Sequence, residues 1–147
     1  MKLFAKAVLA LCLAAFLAIP AFAGDGVHKL VLQISDNDPQ KMNTVLNVAA
    51  NVAQYYTSQG DEIDIKIVAF NQGLNMLRSD TSPVADRMKS FSESMPSVEF
   101  QACNNTRQAM EKKSGKPVPI FDFAKVVPAG VVSIMELNEH GYTVVRP

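Results

Sequence analysis

Beyond its first two dozen residues the chain alternates short apolar runs with stretches of helical periodicity. Leu30 to Ser35 is a compact run of Leu, Val and Ile, which predicts a buried strand. Asp38-Pro39 then makes a helix start, with Asp as N-cap and Pro at the first helical position. Met42, Val45, Leu46, Ala49, Val52, Ala53 and Tyr56 recur at helical spacing until Gly60 ends the segment. Ile63, Ile65, Ile67 and Ala69 alternate with Asp64, Lys66 and Val68, the pattern of a second strand.

The Asn71-Gln72-Gly73 turn leaves that strand, and Leu74 to Leu77 forms a short helical turn. A helix is expected over Pro83 to Phe91, with Val84, Met88 and Phe91 as its apolar positions. Val98, Phe100 and Ala102 alternate into a third strand, and Asn104 to Lys113 reads as a helix stopped at Gly115. Lys116 to Asp122, with two prolines, is a loop, and Ala124 to Val127 a short fourth strand. The last helix is expected from near Pro128 through Val131, Val132, Met135 and Leu137, closed by His140-Gly141. Tyr142 to Val145 is the fifth strand.

Strictly alternating strands and helices predict an α/β class: a three-layer α/β/α sandwich around a mainly parallel five-stranded sheet. Sites in such sheets lie beyond the carboxyl ends of the strands.

The head of the chain has a different pattern. Lys2 and Lys6 precede an apolar stretch from Ala7 to Ile19, Pro20 ends it, and Ala21-Phe22-Ala23 offers small residues at a cleavage site. These are the parts of a secretory signal peptide. The stretch of about 13 residues falls short of the ~20 a spanning helix needs, so no stable membrane anchor is expected. Residues 1–23 are read as the signal and residues 24–147 as one domain, exported to the periplasm.

Composition narrows the function. Lys and Arg total 14 against 14 Asp and Glu, and the signal removes two lysines and no acid. A slightly acidic domain without a basic cluster excludes nucleic acid as a partner. At 48% hydrophobic residues the chain has the apolar content to fold. Of two cysteines, Cys12 leaves with the signal. Cys103 is then a single thiol in an oxidising compartment, unable to pair within the chain: it is buried and inert, reactive, or bonded to another molecule.

Three loops leave strand carboxyl ends with polar side chains: Ser35-Asp36-Asn37-Asp38, Asn71-Gln72-Gly73 and Cys103-Asn104-Asn105-Thr106. The third places the thiol where a strand hands over to a helix. Free N–H groups and the partial positive charge of a helix N-terminus stabilise a thiolate. Arg107 adds a positive charge if its side chain folds back. The competing account packs Cys103 as a small hydrophobe at a strand end, and position alone leaves both open. His28 and His140 lack ligand spacing, so no metal is expected. Walker and GxGxxG patterns are absent, and no cofactor is expected. Asp36 and Asp38 are explained by capping and turn formation.

Phe100-Gln101-Ala102-Cys103-Asn104-Asn105-Thr106 resembles the cysteine motif of the DsrE/DsrF-like family. Val127-Pro128-Ala129-Gly130-Val131, with Glu136-Leu137 and Gly141-Tyr142 to Pro147, resembles the C-terminal signature of its exported branch. Asp36-Asn37-Asp38-Pro39 and Ala69 to Leu74 fit the same pattern, so the likeness spans residues 28–147. The resemblance implies a flavodoxin-like α/β/α domain, homo-oligomers, and a cysteine that accepts and passes on persulfide sulfur, at Cys103. It points to a sulfur carrier rather than a turnover enzyme. Asn104, Asn105 and Thr106 would surround the thiol as helix-start donors, with Asn71, Gly73 and Asp36 on adjoining loops. The donor and acceptor would be another protein or a small thiol. The alternatives are a ligand-binding or assembly module with a structural Cys103, and a redox sensor forming mixed disulfides.

Overall fold

Asp38 and Gly60 bracket the longest helix, each for a local physical reason. Asp38 is extended and its carboxylate accepts from the Gln40 amide at 2.8 Å, while Gly60 adopts the left-handed conformation at φ 81° that closes the helix. A computed structural model of the protein describes residues 26–147. The expected signal peptide, residues 1–23, lies outside the described residues.

The strands are β1 (His28–Ile34), β2 (Ile63–Ala69), β3 (Val98–Cys103), β4 (Ala124–Val127) and β5 (Thr143–Val145). The helices are α1 (Pro39–Gln59), α2 (Ala85–Ser94), α3 (Asn104–Ser114) and α4 (Gly130–Glu139), with a 3-10 segment over Asn71–Leu77. Every strand pair is parallel, in the order β4-β3-β2-β1-β5. The expected α/β class and five-stranded parallel sheet are therefore present.

Connection handedness decides where the helices go. Three successive steps, β1 to β2 to β3 to β4, move in one direction across the sheet. A right-handed crossover then places α1, α2 and α3 on one face. The return from β4 to β5 crosses the whole sheet the other way and places α4 on the opposite face.

The two faces bury different residues. Leu32, Ile65, Ile67 and Phe100 point from the strands into the larger core, where Met42 and Leu46 of α1 and Met88 of α2 meet them. On the other face, among the described residues, Val31, Val68, Ile134 and Tyr142 form a smaller buried cluster. Each fully buried large side chain contributes about 1.5–3 kcal/mol, so the α1 face carries most of the stability.

Some boundaries differ from expectation. The 3-10 segment absorbs the Asn71-Gln72-Gly73 turn, because the chain must double back tightly against β1 before it can rise again. Helix α4 begins at Gly130 instead of Pro128, since Ala129 is extended and the Pro128 carbonyl accepts from the Asn105 amide at 3.2 Å. Helix α2 runs past Phe91 to Ser94.

Candidate functional site

β3 hands its chain to α3 on one face, while its neighbour β4 hands on to α4 on the other. The connections diverge there, and such a divergence opens the crevice in which doubly wound sheets bind and react. Cys103 is the last residue of β3, in register with Val127 at the end of β4. Cys103, the free cysteine among the described residues, thus stands at the switch point of the sheet.

Alternation along β3 sends Phe100 and Ala102 into the larger core and turns Cys103 toward the α4 face. There it lies beside the first residue of α4. A Cβ built on Gly130 would stand 3.2 Å from Cys103 Cβ and 3.1 Å from Phe70 Cβ. Glycine lets the start of α4 approach this closely. Two helix N-termini consequently converge on one sulfur: α3, which Cys103 itself caps, and α4.

Burial pushes the thiol pKa up, and the donors around it outweigh that. The Thr106 hydroxyl and the amides of Gly130, Thr106 and Asn105 together hold it below the ordinary value of 9.0. The Asn71 amide donates to Thr106 Oγ1 at 3.0 Å, which leaves the hydroxyl hydrogen free to point at sulfur. Asn71 achieves this at φ 48°, a left-handed conformation that asparagine tolerates better than most side chains. Arg107 lies along α3, 3.8 Å from Glu111, and supplies none of these donors.

The thiol is only 5% exposed. Beside it, on the α3 side, runs an open groove of about 750 Å³ lined by Ser35, Asp36, Asn71, Gln72, Asn105 and Thr106, with Lys113 at its rim. Folding therefore gathers three loops far apart in the chain into one surface. Asp36 accepts from Lys41 at 2.9 Å and from Arg146 at 3.1 Å, bonds that keep its carboxyl below the usual carboxylate range. Asn104 makes no side-chain hydrogen bond among the described residues and does not line the groove. Gly73 is buried beneath it: a Cβ there would fall 2.3 Å from the Ile34 carbonyl oxygen, so this glycine serves the close approach of two backbones.

Gly130 and Arg146 were not legible as site residues. Val127-Pro128-Ala129-Gly130 marks a strand-to-helix turn, but only the pairing of β4 with β3 carries its amide to Cys103.

Another groove, about 640 Å³, lies at the amino-terminal end of β1 and β2. His28 stacks on Tyr56 there at 3.7 Å between ring centroids, and approaches Asp61 at 3.4 Å. It is far from the thiol along the strands and at the end where parallel sheets rarely place chemistry. His140 sits at the end of α4, its Nδ1 2.6 Å from the Glu136 carbonyl oxygen. Among the described residues, no three His, Cys, Asp or Glu side chains are grouped to hold a metal. Among them, too, no helix is long and apolar enough to cross a membrane.

No model of a known protein family matches the chain, and no curated protein matches it. Among solved structures, the chain is similar to MTH1491, a protein of unknown function from Methanobacterium thermoautotrophicum. The two are 25% identical, with a TM-score of 0.69 over 82% of this chain and 99% of that one.

Proposed function

We propose that this protein is an exported, thiol-dependent carrier of persulfide sulfur in which Cys103 is the acceptor. The observation that carries this reading is the convergence of two helix N-termini and the Thr106 hydroxyl on one sulfur atom. A packing cysteine needs no such donors. The DsrE/DsrF-like resemblance of the segment around Cys103 supports the same chemistry.

In the proposed step the Cys103 thiolate attacks the outer sulfur of a donor persulfide, R–S–SH. A new S–S bond forms, the donor's S–S bond breaks, and its electron pair leaves on R–S⁻. Cys103 then carries –S–SH and passes the outer sulfur to an acceptor thiolate in the same way. Neither transfer changes the overall oxidation state, so no cofactor is called for. The chain holds no second thiol after signal removal, so both donor and acceptor are other molecules. The Asn105 and Thr106 side of the groove is where they would approach.

The 5% exposure of Cys103 favours a second reading, a binding or assembly module in which the thiol is structural. One experiment separates the two. Protein isolated without reductant from the periplasm is examined by intact mass, and its labelling by iodoacetamide is followed before and after denaturation. The carrier predicts an adduct of one sulfur atom, absent in Cys103→Ala, and labelling of the native protein at neutral pH. A thiol that labels only after denaturation would overturn it, as would protein retained in the cytoplasm.

A further inference from the structure

The groove beside the thiol does not end at Lys113. Gln72, Met110 and Lys113 also line a second groove, of about 640 Å³, so the two form one continuous surface. Helix geometry makes the join. Thr106, Ala109, Met110 and Lys113 stand at i, i+3, i+4 and i+7 on α3, a single stripe along that helix. The stripe begins at the hydroxyl that donates to the Cys103 sulfur and ends at an ammonium. Seven residues of helix rise set those ends about 10 Å apart.

Charge is uneven along this surface. The carboxylates that line it are Asp36 and Asp80, and both are already held. Asp36 accepts from Lys41 and Arg146, and Asp80 accepts two hydrogen bonds from Arg78 at 2.9 and 2.7 Å. Lys113 and Lys116, on either side of the Gly115 cap, line the far groove and form no ion pair among the described residues. The carbonyl end of α3 carries about half a negative charge, which offsets part of the two ammonium charges and leaves that end cationic. Lys29 and Lys125 lack ion pairs too, but their settings differ. Lys29 donates to the His140 carbonyl at 3.1 Å, and Lys125 shares its trough with Glu136.

We propose that this surface binds a low-molecular-mass thiol that carries a carboxylate at the end remote from its sulfur. The molecule lies along α3, its sulfur at Asn105 and Thr106 and its carboxylate at Lys113 and Lys116. A span of about 10 Å is that of three extended residues, so the fitting ligand is a thiol peptide of about that length. Gln72, where the grooves join, offers its amide to the peptide groups between the two ends. Volumes of this size are those of small-molecule sites. The placement of the sulfur rests on the carrier reading; the placement of the carboxylate rests on the lysines alone.

The probe is S-methylglutathione, a tripeptide with two carboxylates and a sulfur that cannot exchange. It is titrated to millimolar concentration into Cys103→Ala, with calorimetry for affinity and amide NMR shifts for location. Saturable binding is expected, with shifts at Gln72, Met110 and Lys113 and an affinity that falls as salt rises. Lys113→Gln and Lys116→Gln are each expected to weaken binding about three- to fivefold, and the pair about tenfold or more. Lys125→Gln, outside the groove, is expected to change nothing. Esterifying both carboxylates of the probe should weaken binding as much as the double substitution does. An ester that binds as well as the acid overturns the proposal. So does full affinity in the double variant, a set of shifts confined to another groove, or the absence of saturable binding. A thiol-free acidic peptide that binds more tightly than the probe overturns it in favour of a protein partner. Binding is read without Cys103, whereas the carrier reading is judged by the sulfur adduct and labelling of the natural protein, so either can fail alone.

Discussion

The backbone amide of Asn71 donates to the side-chain oxygen of Thr106 at 3.0 Å, joining the loop after β2 to the first turn of α3. The bond sets the polarity of the hydroxyl. With its lone pair engaged by Asn71, the Thr106 O–H is left to donate toward Cys103, where it is the strongest of the groups favouring the thiolate. Thr106→Val is therefore expected to raise the Cys103 pKa and to cost about 1 kcal/mol. Thr106→Ser should keep both nearly unchanged. The rate of iodoacetamide labelling against pH reports the first quantity and urea midpoints the second. Equal pH profiles for the valine and serine variants would remove Thr106 from the site.

Gly130 makes a different contribution, through what it lacks. A methyl group there meets Phe70 Cβ at 3.1 Å and Cys103 Cβ at 3.2 Å, contacts that force α4 outward by a few tenths of an ångström. Gly130→Ala is expected to destabilise the fold by about 1–2 kcal/mol. Its second effect is to draw an amide donor away from the sulfur, so the thiol should label more slowly at neutral pH. Unchanged labelling in this variant would mean that the α4 N-terminus does not act on Cys103.

The loop glycine at residue 73 distinguishes packing from binding. Gly73→Ala puts a carbon 2.3 Å from a backbone carbonyl of Ile34, which cannot rotate away. A loss of about 3 kcal/mol or more is expected, visible as a large drop in thermal midpoint. A variant as stable as the natural protein would show that the end of β1 yields easily, and that Gly73 is free for some other purpose.

Acid should weaken the fold through two carboxylates held below their ordinary value of 3.8. Asp36 is held chiefly by its hydrogen bond from Lys41 and then by Arg146; Asp80 is held chiefly by Arg78, which donates to it at 2.9 and 2.7 Å. A carboxylate whose folded pKa is depressed adds stability that is complete above the unfolded value. That stability is lost as pH falls through the folded value. Urea midpoints are expected to hold down to about pH 4 and then to decline, less steeply in Asp80→Asn. An identical decline in the variant would assign the acid sensitivity to other groups.

Most of the fold was legible because it rests on local chemistry. Asp38-Pro39 and Gly60 delimit α1 by capping and by left-handed backbone, and neither device depends on what surrounds it. The alternation through Ile63 to Ala69 places one side of β2 in the core wherever that strand sits in the sheet. The handover from Cys103 to a helix was equally readable, since the apolar alternation of β3 stops where polar helix-start residues begin.

Spatial adjacency was not readable from any window of the chain. Ser35, Asn71 and Asn105 share one groove only because β1, β2 and β3 lie side by side with their carboxyl ends level. The arrival of Gly130 at Cys103 follows from β4 taking the edge next to β3, so that the connection to β5 must cross the opposite face. Burial of the thiol has the same origin. Residue type and period determined which side chains could serve as core, cap or nucleophile. Strand order and crossover handedness decided which of them meet, because those depend on the packing of the whole sheet and not on any local preference.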